Sequence, residues 1–147
     1  MKNMLPPDYF LICLLLSIGL HFACPLYKIE GYGVSFAGII LITAGIWLNL
    51  RADYLLKKYK TTVKPFEKSA CLVQEWPYSI SRHPMYLGMI LIIAGSAFFS
   101  GSLSSFTGTF CFFILMQGLF IPHEERMLEQ TFGRDFIDYK NRVRCWI

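Results

Sequence analysis

Charge is scarce in this chain: Asp, Glu, Lys and Arg make up 16% of its 147 residues, against roughly 25% in soluble domains. With 54% hydrophobic residues, that shortage excludes an ordinary soluble domain. Paired cysteines are missing too. Cys13, Cys24, Cys71, Cys111 and Cys145 form no C-x-x-C pair and have no histidine at zinc-ligand spacing, which excludes a disulfide framework and a metal site of the usual spacing. "HEERM" begins like the metalloprotease pattern H-E-x-x-H, but Met127 stands where the second histidine belongs, so that chemistry is excluded. The N-terminal apolar stretch lacks a strong basic flank, and "HFAC" around Cys24 lacks the leucine of a lipoprotein cleavage site. It is therefore read as a retained helix and not as a signal peptide.

What the chain does have is apolar length. A bilayer core about 30 Å thick needs roughly 20 mostly apolar residues per helix, and the stretches Tyr9–Leu26, Val34–Leu50, Pro84–Ser100 and Leu103–Pro122 meet that need. The expected fold is all-α: a polytopic membrane protein with four transmembrane helices, a long cytoplasmic loop (51–83) and a C-terminal amphipathic helix in the tail (123–147), forming a single domain over 1–147. With four spans, both termini and the long loop share one side, and that side holds all but one of the 14 Lys and Arg residues, Lys28 being the exception. The positive-inside rule puts that side in the cytoplasm. This asymmetry and anionic lipid headgroups account for the net charge of +4, and no nucleic-acid partner is needed. His21 lies near the end of the first span and is read as an interfacial histidine.

The loop opens with "RADYLLKKYK", which can continue the second span as a helix, while Pro65 and Pro77 argue against regular structure further on. Val63, Phe66, Leu72, Val73, Trp76 and Tyr78 make it an ordered connection and not a linker. In the tail, Leu128, Phe132, Phe136, Tyr139 and Val143 recur at helical spacing, so one face should lie on the membrane or pack under the bundle. "GIILITAG" at Gly38–Gly45 echoes "GMILIIAG" at Gly88–Gly95. Close helix packing through small residues explains this echo better than an ancestral repeat does.

"SRHPMYLG" (81–88) and "HEER" (123–126) place ionisable groups beside apolar segments. Pro84 suits the first turn of a helix, so the third span starts there, and its positive dipole end beside Arg82 and His83 would welcome an anion. The fourth span is expected to end near Pro122, its negative end reinforced by Glu124 and Glu125, where a cation would be welcome. The very short tip Gly101–Ser102 should bring the two ends together as a receptor for a zwitterion. Taken singly, Arg82 could snorkel to lipid phosphate and the glutamates could form a solvated helix end. Tyr86 and Gly88, one turn into the third span, favour a site: the tyrosine offers a ring and a hydroxyl, and the glycine allows a ligand or a helix to approach.

The run "TTVKPFEKSACLVQEWPYSISRHPMYLG", followed after a hydrophobic hairpin by "EERMLEQTFGRDFIDYKNRVR", resembles the isoprenylcysteine carboxyl methyltransferase family and its phospholipid N-methyltransferase relatives. The resemblance covers about the last two thirds of the chain. It implies an integral membrane enzyme using S-adenosylmethionine as cofactor, which is enclosed at the cytoplasmic face, and a lipophilic methyl acceptor taken from the lipid bilayer. The family motif makes His83, Tyr86, Leu87 and Gly88 cofactor-contacting positions. Glu124 and Glu125 match its glutamate pair, the second of which would hold the methionine ammonium. Arg82 is similar to the arginine near the reacting centre, and Tyr139 and Arg142 match tail positions. The chain departs from many relatives at Glu75-Trp76, before Pro-Tyr, and has fewer spans than the eukaryotic prenylcysteine enzymes. Both departures bear on the acceptor, which stays open between a prenylcysteine carboxylate, a phospholipid amine and another lipophilic acid, amine or thiol. A carboxylate is already nucleophilic and would be oriented by Arg82, whereas an amine must lose a proton, with His83 or a glutamate as base. Two rival readings are an NADPH-dependent enzyme resembling the sterol reductases and a non-enzymatic membrane assembly factor.

Overall fold

The computed structural model describes residues 4–28, 31–61 and 71–147. Val63, Pro65 and Phe66 of the long loop lie outside these described residues. Among the described residues the chain is helical and has no strand, with isolated bridges pairing Lys28 with Ser102 and Ser81 with Arg144.

Helix α1 spans Pro6–Ala23. Its paired prolines occupy the first turn, where a missing N–H costs nothing, and Asp8 accepts a hydrogen bond from the Leu5 backbone N–H at 2.8 Å. Helix α2 spans Tyr32–Lys58; it carries the second apolar stretch straight on into "RADYLLKK", as expected. Helix α3 spans Pro84–Ser100 and starts at the proline identified from the sequence. Gly101, at φ 63, ends it in the left-handed conformation, which glycine adopts without steric cost.

The fourth apolar stretch differs from its expected bounds. A 3₁₀ turn at Leu103–Ser105 leads into α4, Phe106–Leu115, then a π turn at Met116–Phe120, then α5, Ile121–Phe132. The helix therefore does not stop near Pro122. The π turn lies immediately upstream of the proline, where the wider winding accommodates the missing N–H, so Glu124 and Glu125 sit on a continuing helix and not at a dipole terminus. Gly133, at φ +54, then breaks the rod before α6, Arg134–Arg142. The tail is thus two amphipathic helical pieces instead of one.

By length and composition, Pro6–Ala23, Tyr32–Lys58 and Leu103–Phe132 can each cross a membrane, and Pro84–Ser100 is a shorter apolar helix of 17 residues. Large apolar side chains such as Leu15, Phe36, Ile40, Trp47 and Phe110 are exposed on the outside of the bundle, as lipid-facing residues are. Buried apolar contacts link α1, α3 and α4 through Cys13, Ile93, Phe112 and Met116. The tail buries Phe136, Tyr139 and Val143 in a second cluster with Leu72, Leu128 and Phe132, so the apolar face deduced from its spacing packs within the tail and against the long loop.

The glycine echo is a helix-packing seam. A Cβ built on Gly38 would stand 2.6 Å from the Gly95 carbonyl oxygen, and one on Gly45 would stand 2.5 Å from that of Gly88. The reciprocal approaches, 2.7 Å from Gly95 to the Gly38 oxygen and 2.8 Å from Gly88 to the Gly45 oxygen, show α2 and α3 meeting backbone to backbone, antiparallel. Gly45→Ala should lower the thermal midpoint in detergent, because overpacking costs about 1 to 3 kcal/mol and the obstacle is backbone. Gly19, with nothing within 4 Å of an added Cβ, provides the control: Gly19→Ala should leave the midpoint unchanged or raise it. Equal midpoints for the two variants would show that the seam is not tightly packed.

Candidate functional site

The site forms where the segment before α3 meets α5 and α6. Arg82 donates from Nε (2.9 Å) and Nη2 (2.6 Å) to Glu125 Oε1, and from Nη1 to the backbone carbonyls of Lys140 and Val143. Lys140 Nζ lies 2.8 Å from the other oxygen of Glu125. The arginine and glutamate side chains are only 10% and 12% exposed, so this is a shielded ion cluster in which two cations compensate the charge of Glu125. The two poles expected to receive a zwitterion's opposite charges are, for Arg82 and Glu125, bound to each other.

Glu124 faces differently. Its Oε1 accepts a hydrogen bond from the Tyr86 hydroxyl, and its Oε2 lies 3.2 Å from His83 Nδ1. The imidazole and the Tyr86 ring stack, with centroids 5.7 Å apart and planes 9° from parallel. His83 Nε2 is buried and makes no hydrogen bond, its neighbour Glu125 Oε1 being 3.6 Å away. Burial pulls the His83 pKa down, but the carboxylates of Glu124 and Glu125 outweigh it, and the net shift is upward. A raised histidine pKa contributes stability in full below its unfolded value of about 6.5 and loses it as pH rises through the folded value. The thermal midpoint should therefore fall as pH is raised above about 6.5, and His83→Gln should flatten that fall; parallel pH dependence in both proteins would remove His83 as its source.

Beside these groups lies a cavity of about 300 Å³, at the lower end of the range for small-molecule sites. Its lining combines the polar residues Arg82, His83, Tyr86, Glu124, Tyr78 and Tyr139 with the apolar Met85, Met89, Met127 and Leu128 and with Leu5–Pro7 at the start of α1. The Tyr139 hydroxyl donates to the Tyr78 carbonyl at 2.6 Å, and burial holds that phenol neutral by pushing its pKa up, against the pull of Arg82.

Of the residues singled out from the sequence, Arg82, His83, Tyr86, Glu124 and Tyr139 are brought to one cavity. Glu125 stands behind it in the ion cluster. Gly88 faces Gly45 and Asn49 in the α2–α3 seam. Leu87 is half-buried on α3, its N–H bonded to the His83 carbonyl, and neither residue lines the cavity. Arg142 is exposed and bonds Gln74 at 3.0 Å. Lys140, Tyr78 and the methionines are not marked as site residues by the sequence; nothing local singles out a lysine fifteen positions from its carboxylate. His83, Glu125 and Cys145 bring three potential metal-ligand atoms within 4.8 Å of one another. Arg82 and Lys140 already compensate the charge of that glutamate.

A family model described as phospholipid methyltransferase matches residues 34–135, from α2 through the glutamate pair. The chain belongs to the phospholipid methyltransferase family. Protein-S-isoprenylcysteine O-methyltransferase B of Arabidopsis thaliana is 35% identical over 75 residues, covering 49% of this chain and 36% of the plant protein. This chain thus spans little more than a third of the length of that curated relative. An uncharacterized protein of Haemophilus influenzae is 32% identical over 63 residues, covering 43% of this chain and all of the relative. No solved structure matches. Membership in this methyltransferase family accords with the apolar helices, and both "RHPMYLG" and the glutamate pair fall inside the matched region.

Proposed function

We propose that this chain is an S-adenosylmethionine-dependent methyltransferase acting on a lipophilic acceptor at the cytoplasmic face of a membrane that it crosses four times. The observation that carries the reading is Glu124: a carboxylate oriented by Tyr86 and His83 at a cavity that apolar side chains also line. The residues suit the cofactor. A carboxylate complements a cationic ligand carrying an ammonium and a sulfonium, and the Tyr78, Tyr86 and Tyr139 rings that line the cavity are surfaces that cations favour. When bound, S-adenosylmethionine supplies an electrophilic methyl group together with its leaving group. The protein's share is then to orient the reactants and exclude water.

In this reading Glu124, rather than Glu125, faces the ammonium, and Tyr86 and His83 hold its carboxylate in place. The Arg82–Glu125–Lys140 cluster fixes α5 and α6 against the start of α3 as the framework of the site. The carboxylates of Glu124 and Glu125 favour the protonated form of His83, which suits it to orient Glu124. Met85, Met89 and Met127 give the acceptor's apolar part a wall that adapts to its shape.

Incubation of purified protein and a native lipid extract with methyl-labelled S-adenosylmethionine should place label in a lipid-soluble product. Label lost in mild base marks an ester, and retained label marks an N- or S-methyl group. A lack of labelled product together with a lack of S-adenosylhomocysteine binding would overturn the reading. Topology follows the cation asymmetry: a cysteine placed at Gly101 in otherwise cysteine-free protein should react with an impermeant reagent from outside, and tags on both termini should not. Outward-facing termini would refute the orientation.

A further inference from the structure

We propose that residues 143–146 form a positioning strap, in which Trp146, anchored to Gln117 of the π turn, holds Ser81–His83 in the geometry the cavity requires. Just beyond α6 the chain turns back along the segment before α3 and bonds to it residue by residue. The Val143 carbonyl accepts from Arg82 Nη1, the Arg144 carbonyl from the Arg82 backbone N–H at 3.0 Å, and the Cys145 carbonyl from Ser81 Oγ at 3.1 Å. Ser81, only 1% exposed, passes the connection on, because its hydroxyl oxygen also accepts the His83 backbone N–H at 3.2 Å. The backbone that aims the imidazole at Glu124 is therefore set by the strap.

Trp146 closes the strap. Its indole Nε1–H donates to Gln117 Oε1 at 2.8 Å, and its ring packs on Phe113 with centroids 5.2 Å apart. Gln117 is an exposed amide on an otherwise apolar helix. An amide on such a surface favours any partner that shares its hydrogen-bonding need, and Trp146 supplies one while adding an amphipathic ring suited to the membrane interface. Gln117 also belongs to the π turn that leads into α5, so the same contact ties the α3 side of the site to the helix carrying Glu124. Trp146 and Gln117 touch neither Glu124 nor the cavity. They act through other residues.

The inference rests on the methyltransferase reading for one of its two readouts, and the other is independent of it. Trp146→Phe keeps an aromatic ring on Phe113 but loses the donor, and Gln117→Met keeps length but loses the acceptor. In detergent-solubilised full-length protein, S-adenosylhomocysteine affinity should fall about tenfold in each variant, and the double variant should be no weaker than either single one, as expected of two halves of one contact. The independent readout is the imidazole NMR titration of His83, one of three histidines. Its midpoint should move down toward the ordinary histidine value in every variant, as the imidazole leaves the field of Glu124 and Glu125. An unmoved His83 midpoint in the folded variants would overturn the strap, even if thermal stability fell, and so would losses of affinity that multiply in the double variant. If the wild type bound no S-adenosylhomocysteine, the functional reading would fail, and the His83 titration alone would decide the strap.

Discussion

Glu124→Gln should weaken S-adenosylhomocysteine binding by roughly thirtyfold to several thousandfold and lower the thermal midpoint by less than Glu125→Gln, which should chiefly destabilise the protein. Loss of one partner of a buried charge pair in a complex costs about 2 to 5 kcal/mol, and each 1.4 kcal/mol is about a factor of ten in affinity. A glutamine at 124 keeps one acceptor oxygen for either Tyr86 or His83 and turns an NH2 toward the other, so the folded protein loses one contact while its ion cluster stays intact. At 125 the same substitution leaves Arg82 and Lys140 facing a neutral amide in a shielded cluster, and an uncompensated buried charge costs about 3 to 5 kcal/mol. Titration of the ligand and thermal unfolding of both variants in one detergent separate the two roles. If Glu125→Gln lost affinity without stability while Glu124→Gln kept both, the assignments would be reversed.

Arg82→Met should lose most of the folded protein. Two bonds to Glu125 and those to the Lys140 and Val143 carbonyls go at once, and about 3 to 5 kcal/mol is a large share of the 5 to 15 kcal/mol typical of a domain. Arg82→Lys preserves charge but lacks the planar fork. It should still pair with Glu125 and release the carbonyls, costing about 1 to 3 kcal/mol and giving an intermediate midpoint. Thermal unfolding monitored by circular dichroism checks this order. A wild-type midpoint in Arg82→Met would mean that the cluster holds nothing together, leaving Arg82 as a side chain that merely reaches lipid phosphate.

The parts of this architecture legible in the sequence are those written in local patterns. Pro84 marks the start of α3, the paired glycines mark the α2–α3 seam, and the tail spacing marks the face that buries Phe136 and Tyr139. Where a local signal met a compensating one, the reading missed. Pro122 looks like a stop, and the π turn before it lets the helix continue. The spacing from Leu128 to Val143 looks like one helix, and Gly133 divides it. For the site, the residue types were legible but their pairing was not. The motifs that carry Arg82 and Glu125 stand out in the sequence, yet only the folded chain shows Arg82 turned onto Glu125, because the contact joins residues 43 positions apart. Ser81 sat unassigned inside a quoted motif, since its role is to join two backbones, and residue type alone does not disclose that.

The five-residue π turn at Met116–Phe120 also sets the angular phase of everything after it. A helix advances about 100° per residue, and a π turn holds one residue more than regular winding would. Rewinding these five residues as plain α-helix at unchanged length would swing α5 by about that angle, carrying Glu124 off the cavity wall and Glu125 away from Arg82, although no site residue had changed. The winding of this stretch therefore places the site as much as the glutamates do: a one-residue deletion inside the turn, which restores regular winding with the phase kept, should damage activity less than a one-residue insertion there, which adds about 100°.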